Sequence, residues 1–191
     1  MIEEVLDFWF GNALSEIHGK SRPEWFRKNP GFDREIKERF LNFYQQVAAE
    51  KIKPIPENPL EYLALIIVLD QFPRNMFREQ PQAFATDNLA LKYASEAIAQ
   101  GLDKQLLPVQ RWFIYLPFEH SENLPDQTRN LALMYGLKDD EETKRAGVIE
   151  YAERHMEVIR RFGRFPHRNH ILGRPSTREE EIFLTQPNSS F

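Results

Sequence analysis

Along most of the chain, apolar residues return every three or four positions, and the stretches between are polar and rich in proline or glycine. Ile2 to Trp9 keeps helical spacing and stops at Gly11. A polar loop with Gly19, Pro23 and Pro30 follows, in which Trp25 and Phe26 are expected to form a hydrophobic anchor. From Asp33 to Glu50, Ile36, Phe40, Tyr44 and Val47 fall on one face of an amphipathic helix, with Asp33 as a capping residue. Pro54 and Pro56 then break the chain. Asn58-Pro59-Leu60-Glu61 reads as a helix start, with Asn58 as cap and proline in the first turn.

The body from Leu60 to Leu69 is apolar nearly all round, which places this helix at the centre of the fold. A buried strand is the competing reading of "LALIIVL"; the cap and the Leu/Ala content favour a helix. A fourth helix starts at Thr86 or Asp87 and runs through Gln100, with Gly101 as its stop. Val109 to about Ser121 reads as helical, kinked or split at Pro117. Leu124 to Tyr135, then Glu141 to Phe162 as one long helix, and a capping-box start at Ser176-Thr177-Arg178-Glu179 complete the series.

This makes about eight helices and no strand or hairpin signal. The expected fold is a single all-α domain of antiparallel helix pairs, either a bundle or an α-α superhelix. No strict thirty-four-residue self-similarity is present, so any repeat is degenerate.

Composition narrows the chemistry. The chain has 191 residues, 41% of them hydrophobic, which supplies a core of ordinary size. A formal net charge of −4 argues against nucleic acid as partner. The absence of cysteine excludes disulfides, thiolate nucleophiles, iron–sulfur clusters and cysteine zinc sites. "MIEEVLDFWFGN" carries acids where a signal peptide carries basic residues, and the longest apolar run is far short of the roughly 20 residues a bilayer needs. A cytoplasmic protein without membrane contact is the expectation. The sequon Asn188-Ser189-Ser190 then carries no meaning.

Three segments mix aromatics and prolines with charges. The first is "DQFPRNMFR", Asp70 to Arg78. A carboxylate at the end of the central helix opposes the helix dipole, so Asp70 needs a positive partner such as Arg74. The second is "LPFEHSE". If the helix resumes after Pro117, Tyr115, Glu119 and Glu122 share one face with His120 beside them, a set suited to acid–base work. The third, "RRFGRFPHRNHILGR", holds five arginines, two histidines and no acid. Its guanidinium forks suit carboxylate or phosphate oxygens, whether of the protein's own Asp70, Glu119, Glu122 and Asp126 or of an external anion. His167 and His170 are three apart, but the proline beside them reads as loop, and no metal site is assigned. His155 lies on an apolar helix face and reads as a core histidine.

Common catalytic motifs are missing. Gly19-Lys20-Ser21 ends like a phosphate-binding loop, but Leu14 stands where its first glycine belongs. There is no Gly-x-Gly-x-x-Gly, His-Glu-x-x-His or Gly-x-Ser-x-Gly.

The blocks "VLDFWFG", "LALIIVLDQFPRNMFR", "AFATDNLAL", "LPFEHSE", "RFGRFPHRN", "LGRPSTREE" and the tail "NSSF" resemble the bacterial family catalogued as domain of unknown function 924, from Val5 to Phe191. The resemblance implies a tetratricopeptide-like helical fold and no established activity, substrate or cofactor. Its signature positions correspond to Asp70, Gln71, Phe72, Pro73, Arg74 and Asn75, to Glu119, His120 and Glu122, and to Gly163 through Asn169. The linker "KIKPIPENPLEYL" departs from relatives, which often carry a tryptophan there.

Three functional readings follow. In the first, a pocket binds a small anionic ligand through Asp70, Gln71, Arg74, Asn75, Glu122, Arg164, Arg168, Asn169 and Arg174. His120, Glu119 and His167 are then its candidate catalytic residues, and hydrolysis of a small ester or phosphate its candidate reaction. In the second, the protein is an adaptor with a groove for a peptide or protein partner. In the third, the polar segments form a salt-bridge network that only fixes helix packing. The pocket reading predicts a cavity lined by unpaired arginine donors, and the structural reading predicts full mutual pairing.

Overall fold

The computed structural model describes residues 1–187 and Ser189. Most of the tail "NSSF", namely Asn188, Ser190 and Phe191, lies outside the described residues, and with it the sequon. Among the described residues there are nine α-helices and no strand. These are α1 (Ile2–Phe10), α2 (Pro30–Ala48), α3 (Pro59–Met76), α4 (Asp87–Ala99), α5 (Pro108–Glu119), α6 (Leu124–Tyr135), α7 (Glu141–Ala146), α8 (Val148–Phe162) and α9 (Arg178–Leu184). Short 3-10 turns at Pro81–Phe84 and Pro166–Arg168 matter for the site. No helix is long and apolar enough to cross a membrane.

Helix α3 is the axis. Its run from Leu63 to Leu69 is fully buried, and α1, α2, α4 and α5 all pack against it. Helix α6 joins α5 to α8. The first half of α3 is capped as expected: Asn58 Oδ1 accepts the Glu61 N–H at 3.2 Å, and Pro59 occupies the first turn. In α2 the predicted stripe of Ile36, Phe40, Tyr44 and Val47 is buried.

Several helix ends differ from the sequence expectation. Helix α2 begins at Pro30, where Asn29 accepts from the Gly31 and Phe32 N–H groups, so Asp33 does not cap it. Helix α3 continues past Leu69 through an internal Pro73 to Met76. Asp70 is therefore inside the helix, and the dipole argument for its partner does not apply. Pro73 has no N–H for the Leu69 carbonyl four residues back. The Thr86 hydroxyl donates to that carbonyl at 2.6 Å, so Thr86 bonds to α3 and does not cap α4 with its side chain. Helix α5 passes Pro117 unbroken and ends at Glu119.

The expected long helix from Glu141 is two helices, because Gly147 adopts φ 67°, a left-handed conformation that stops α7 before α8 begins. The last capping box lies one residue later than expected, between Thr177 and Glu180. Trp25 is a buried anchor stacked on Trp9 with ring centroids 6.0 Å apart. Its neighbour Phe26 is more than half exposed.

Candidate functional site

Asp70 and Arg74 are one helical turn apart on α3. Arg74 Nη1 donates to the Asp70 carbonyl at 2.6 Å and stands 3.5 Å from Asp70 Oδ1. The same guanidinium forms a two-pronged pair with Asp87 at the start of α4, at 2.8 and 3.0 Å. Gln71 Nε2 donates to Asp70 Oδ2 at 2.6 Å. The remaining oxygen, Oδ1, is 2.8 Å from His120 Nδ1.

Burial alone raises the pKa of Asp70, but the His120 ring and the Arg74 guanidinium outweigh it and hold the carboxyl at about 2. Burial and Arg74 lower His120 despite the pull of Asp70. At neutral pH this makes Asp70 an acceptor and His120 a neutral ring whose Nδ1–H donates to it. The lone pair of Nε2 then has no hydrogen bond among the described residues, and the side chain is 14% exposed.

His120 follows directly on the last residue of α5, where the helix leaves carbonyls without partners. Gln127, fully buried on α6, reaches three of them: Phe118 O at 3.3 Å, Glu119 O at 2.5 Å and Ser121 O at 2.7 Å. Arg168 Nη1 takes the fourth, donating to His120 O at 3.0 Å. The Arg168 guanidinium packs against two rings, 4.8 Å from the Phe84 centroid and 4.4 Å from that of Phe165. Among the described residues its nearest carboxylate oxygen, Asp87 Oδ2, is 3.8 Å away, and its buried Nε has no partner there. Burial, reinforced by Arg74, brings this arginine down to about 10.

Glu119 faces a different set of groups. Oε2 accepts from Asn130 Nδ2 at 2.9 Å, and Oε1 is 3.4 Å from His155 Nδ1, which also lies 2.8 Å from the Tyr151 carbonyl. No arginine pairs with it among the described residues. Burial therefore pushes its carboxyl up to about 8, against the Asn130 hydrogen bond. Burial drives His155 well below the usual histidine range. The His120 and His155 ring centroids are 6.5 Å apart. Two carboxyl groups and two imidazoles from α3, α5 and α8 thus lie within one buried neighbourhood.

The structure brings Asp70, Gln71, Arg74, His120 and Arg168 together, with Glu119 adjoining. The other candidates disperse. Because α5 ends at Glu119, Glu122 does not share a helix face with it. Its carboxylate instead accepts from the Phe165 N–H at 2.8 Å and from Arg174 at 2.6 and 2.9 Å. Arg174 Nε also donates to Asn169 Oδ1 at 3.0 Å, and Asn169 Nδ2 donates to Ser176 Oγ at 3.1 Å. Arg164 pairs with Glu180 at 2.7 and 2.8 Å, holding that carboxyl at about 2. Asn75 and Arg78 both bind Asp33 on α2, away from His120. Asp126, expected beside an arginine, accepts from Ser121 Oγ at 2.7 Å. His167 packs against Phe165, and burial followed by Arg168 brings it down to about 4.

Sequence reasoning missed Asp87, Gln127 and Asn130 as site residues and Phe84 as a wall. Only the block "AFATDNLAL" pointed toward two of them. Two open hollows of the surface lie elsewhere, one around Glu57 and Gln100, the other around Met1 and Leu60. The polar cluster is largely buried, with partial exposure at His120, Arg74 and Asp87.

Residues 5–188 match a family model described as bacterial protein of unknown function, DUF924. The chain is also similar to a solved structure of a protein of unknown function from Agrobacterium tumefaciens, at 36% sequence identity, with 96% of each chain covered and a TM-score of 0.83. A search of curated proteins returned no match.

Proposed function

The chain belongs to the DUF924 family of bacterial proteins, and from that premise we propose that it carries an acid–base site for a small anionic ligand, centred on His120. The observation that supports this best is the Asp70–His120 contact at 2.8 Å with Nε2 left unpartnered at the exposed edge. A buried carboxylate that accepts from Nδ1 fixes the tautomer and steadies the imidazolium once Nε2 has taken a proton. Nε2 would accept that proton from a water attacking a small ester or phosphate and return it to the leaving oxygen. Among the described residues no serine or threonine side chain bonds to Nε2, so the reading is water activation and not a covalent intermediate. Arg74 and Arg168 supply the positive potential that attracts the anion.

A second reading has its own support. The outer pairs Arg174–Glu122, Arg164–Glu180 and Arg78–Asp33 are each two-pronged and mutually satisfied. These arginines fasten loops to helices, as the structural reading expects, and we assign them no ligand.

The test is steady-state hydrolysis of 4-nitrophenyl acetate and 4-nitrophenyl phosphate by the wild type and by His120→Asn. Where a general base acts, its removal costs about 10²–10⁴-fold in rate. The wild-type rate should rise with pH and level off below the usual histidine range, because burial and Arg74 lower His120. Equal rates in the two proteins, or none in either, would remove the acid–base reading and leave the cluster to the scaffold.

A further inference from the structure

We infer that the Nε–Nη2 edge of Arg168 is where the ligand of this site is recognised, and that the group it takes is a single carboxylate. The inference rests on the anion-binding part of the proposed function and names the ligand's chemistry.

A guanidinium has five N–H donors, and Arg168 uses one of them among the described residues, to the His120 carbonyl. The Phe84 and Phe165 rings pack against it, with centroids 4.8 and 4.4 Å from its central carbon. Its Nη1 side is turned to His120 O and, more loosely, to Asp87. That leaves the Nε–Nη2 edge, whose parallel N–H groups match the two oxygens of a carboxylate. Arg168 is only 6% exposed and its Nε is orphaned. A buried cation in that condition is costly unless something pairs with it. Asp87 compensates it poorly, because both Asp87 oxygens are already held by Arg74 at 2.8 and 3.0 Å.

The charge balance selects a monoanion. Arg74 and Arg168 are offset by Asp70 and Asp87, Glu122 is cancelled by Arg174, and His120 is neutral at rest. When His120 takes up a proton the cluster gains one positive charge, which one carboxylate balances. A phosphate dianion would leave a charge unpaired in a low-dielectric setting. Nε is buried, and Phe84 is a partly exposed neighbour of the guanidinium, so displacement of this ring is the route we assign to the carboxylate.

The experiment is isothermal titration of the full chain with sodium benzoate, sodium acetate and inorganic phosphate, near neutral pH and at constant ionic strength. It is repeated on Arg168→Lys, Phe84→Ala and His120→Asn, with thermal melts to confirm folding. The carboxylates should bind the wild type, and phosphate about tenfold more weakly or worse. Arg168→Lys keeps the charge but loses the fork, so carboxylate affinity should fall about tenfold or more. Should Arg168→Lys fail to fold, Phe84→Ala carries the test, because uncovering the edge should tighten carboxylate binding. His120→Asn keeps the backbone carbonyl that Arg168 binds but loses the proton that the carboxylate balances, so it should still bind the carboxylates, more weakly than the wild type.

Carboxylate affinity unchanged in Arg168→Lys, or in Phe84→Ala, would overturn the assignment of the edge. Phosphate bound as tightly as benzoate would overturn the carboxylate class. Failure of every anion to bind would overturn the inference, while the hydrolysis result for His120→Asn stands or falls separately.

Discussion

Glu119 is a carboxyl group placed where ionisation is unfavourable. It is 4% exposed, holds one amide hydrogen bond and has no cation to pair with. Its pKa is about 8 in the folded chain, above the ordinary 4.5 that the unfolded chain keeps. A raised folded value means that the native state binds this proton more tightly than the unfolded one. The resulting stability is fully present below pH 4.5 and is lost as pH rises through 8. Glu119→Gln removes the ionisation and keeps the shape. The stability of the wild type relative to this variant should therefore fall by a few kcal/mol between about pH 5 and pH 8.5. Urea titrations at both ends measure it, and a difference that ignores pH would refute it.

Residues of this kind were only partly legible in the sequence. Asp70, His120 and Arg168 stood out because charged groups interrupted aromatic, proline-bearing segments. Their partners did not. Asp87 reads only as a candidate helix cap, because a periodicity argument cannot see pairs that form across distant stretches of chain.

Helices were more legible than their ends. The buried faces of α2, α3 and α4 follow from apolar spacing, which reports what a core requires. The ends were misread where one side chain decides the matter, as with the left-handed Gly147 that splits α7 from α8. The prolines misled in the other direction. Pro117 reads as a kink or split and the central helix reads as ending at Leu69, yet α5 passes Pro117 unbroken and α3 runs on through Pro73. At the end of α5, Gln127 performs a task that no local pattern announced. Gln127→Ala leaves the carbonyls of Phe118, Glu119 and Ser121 without their shared donor. It should cost about 1–3 kcal/mol, seen as a drop of roughly 2–4 °C in thermal midpoint for each kcal/mol in a chain of this size. A midpoint equal to the wild type would mean that water replaces the glutamine at no cost.

The whole molecule has one large apolar core spanning α1 to α8 and a small separate cluster of Val158, Ile159 and Phe165, flanked by Phe162 and Phe183. The segment from Gly163 onward is held less by apolar burial than by charged hydrogen bonds, chiefly Arg174 to Glu122 and Arg164 to Glu180. Segments of that kind open at lower free energy than the core. Amide exchange over 163–187 should therefore be faster than over 62–72. Arg174→Gln should accelerate it further at Phe165, whose N–H donates to Glu122. Mass spectrometry of exchanged peptides reads both effects, and uniform protection across the two segments would contradict them.

The lost hydrogen bond at Pro73 has a consequence for how this sequence can drift. The Leu69 carbonyl that the proline leaves bare is closed by Thr86, seventeen residues further along and just ahead of α4. The two positions carry one piece of information between them. A lineage that replaced the proline would release the threonine from its task, and one that kept the proline would have to keep a hydroxyl opposite it.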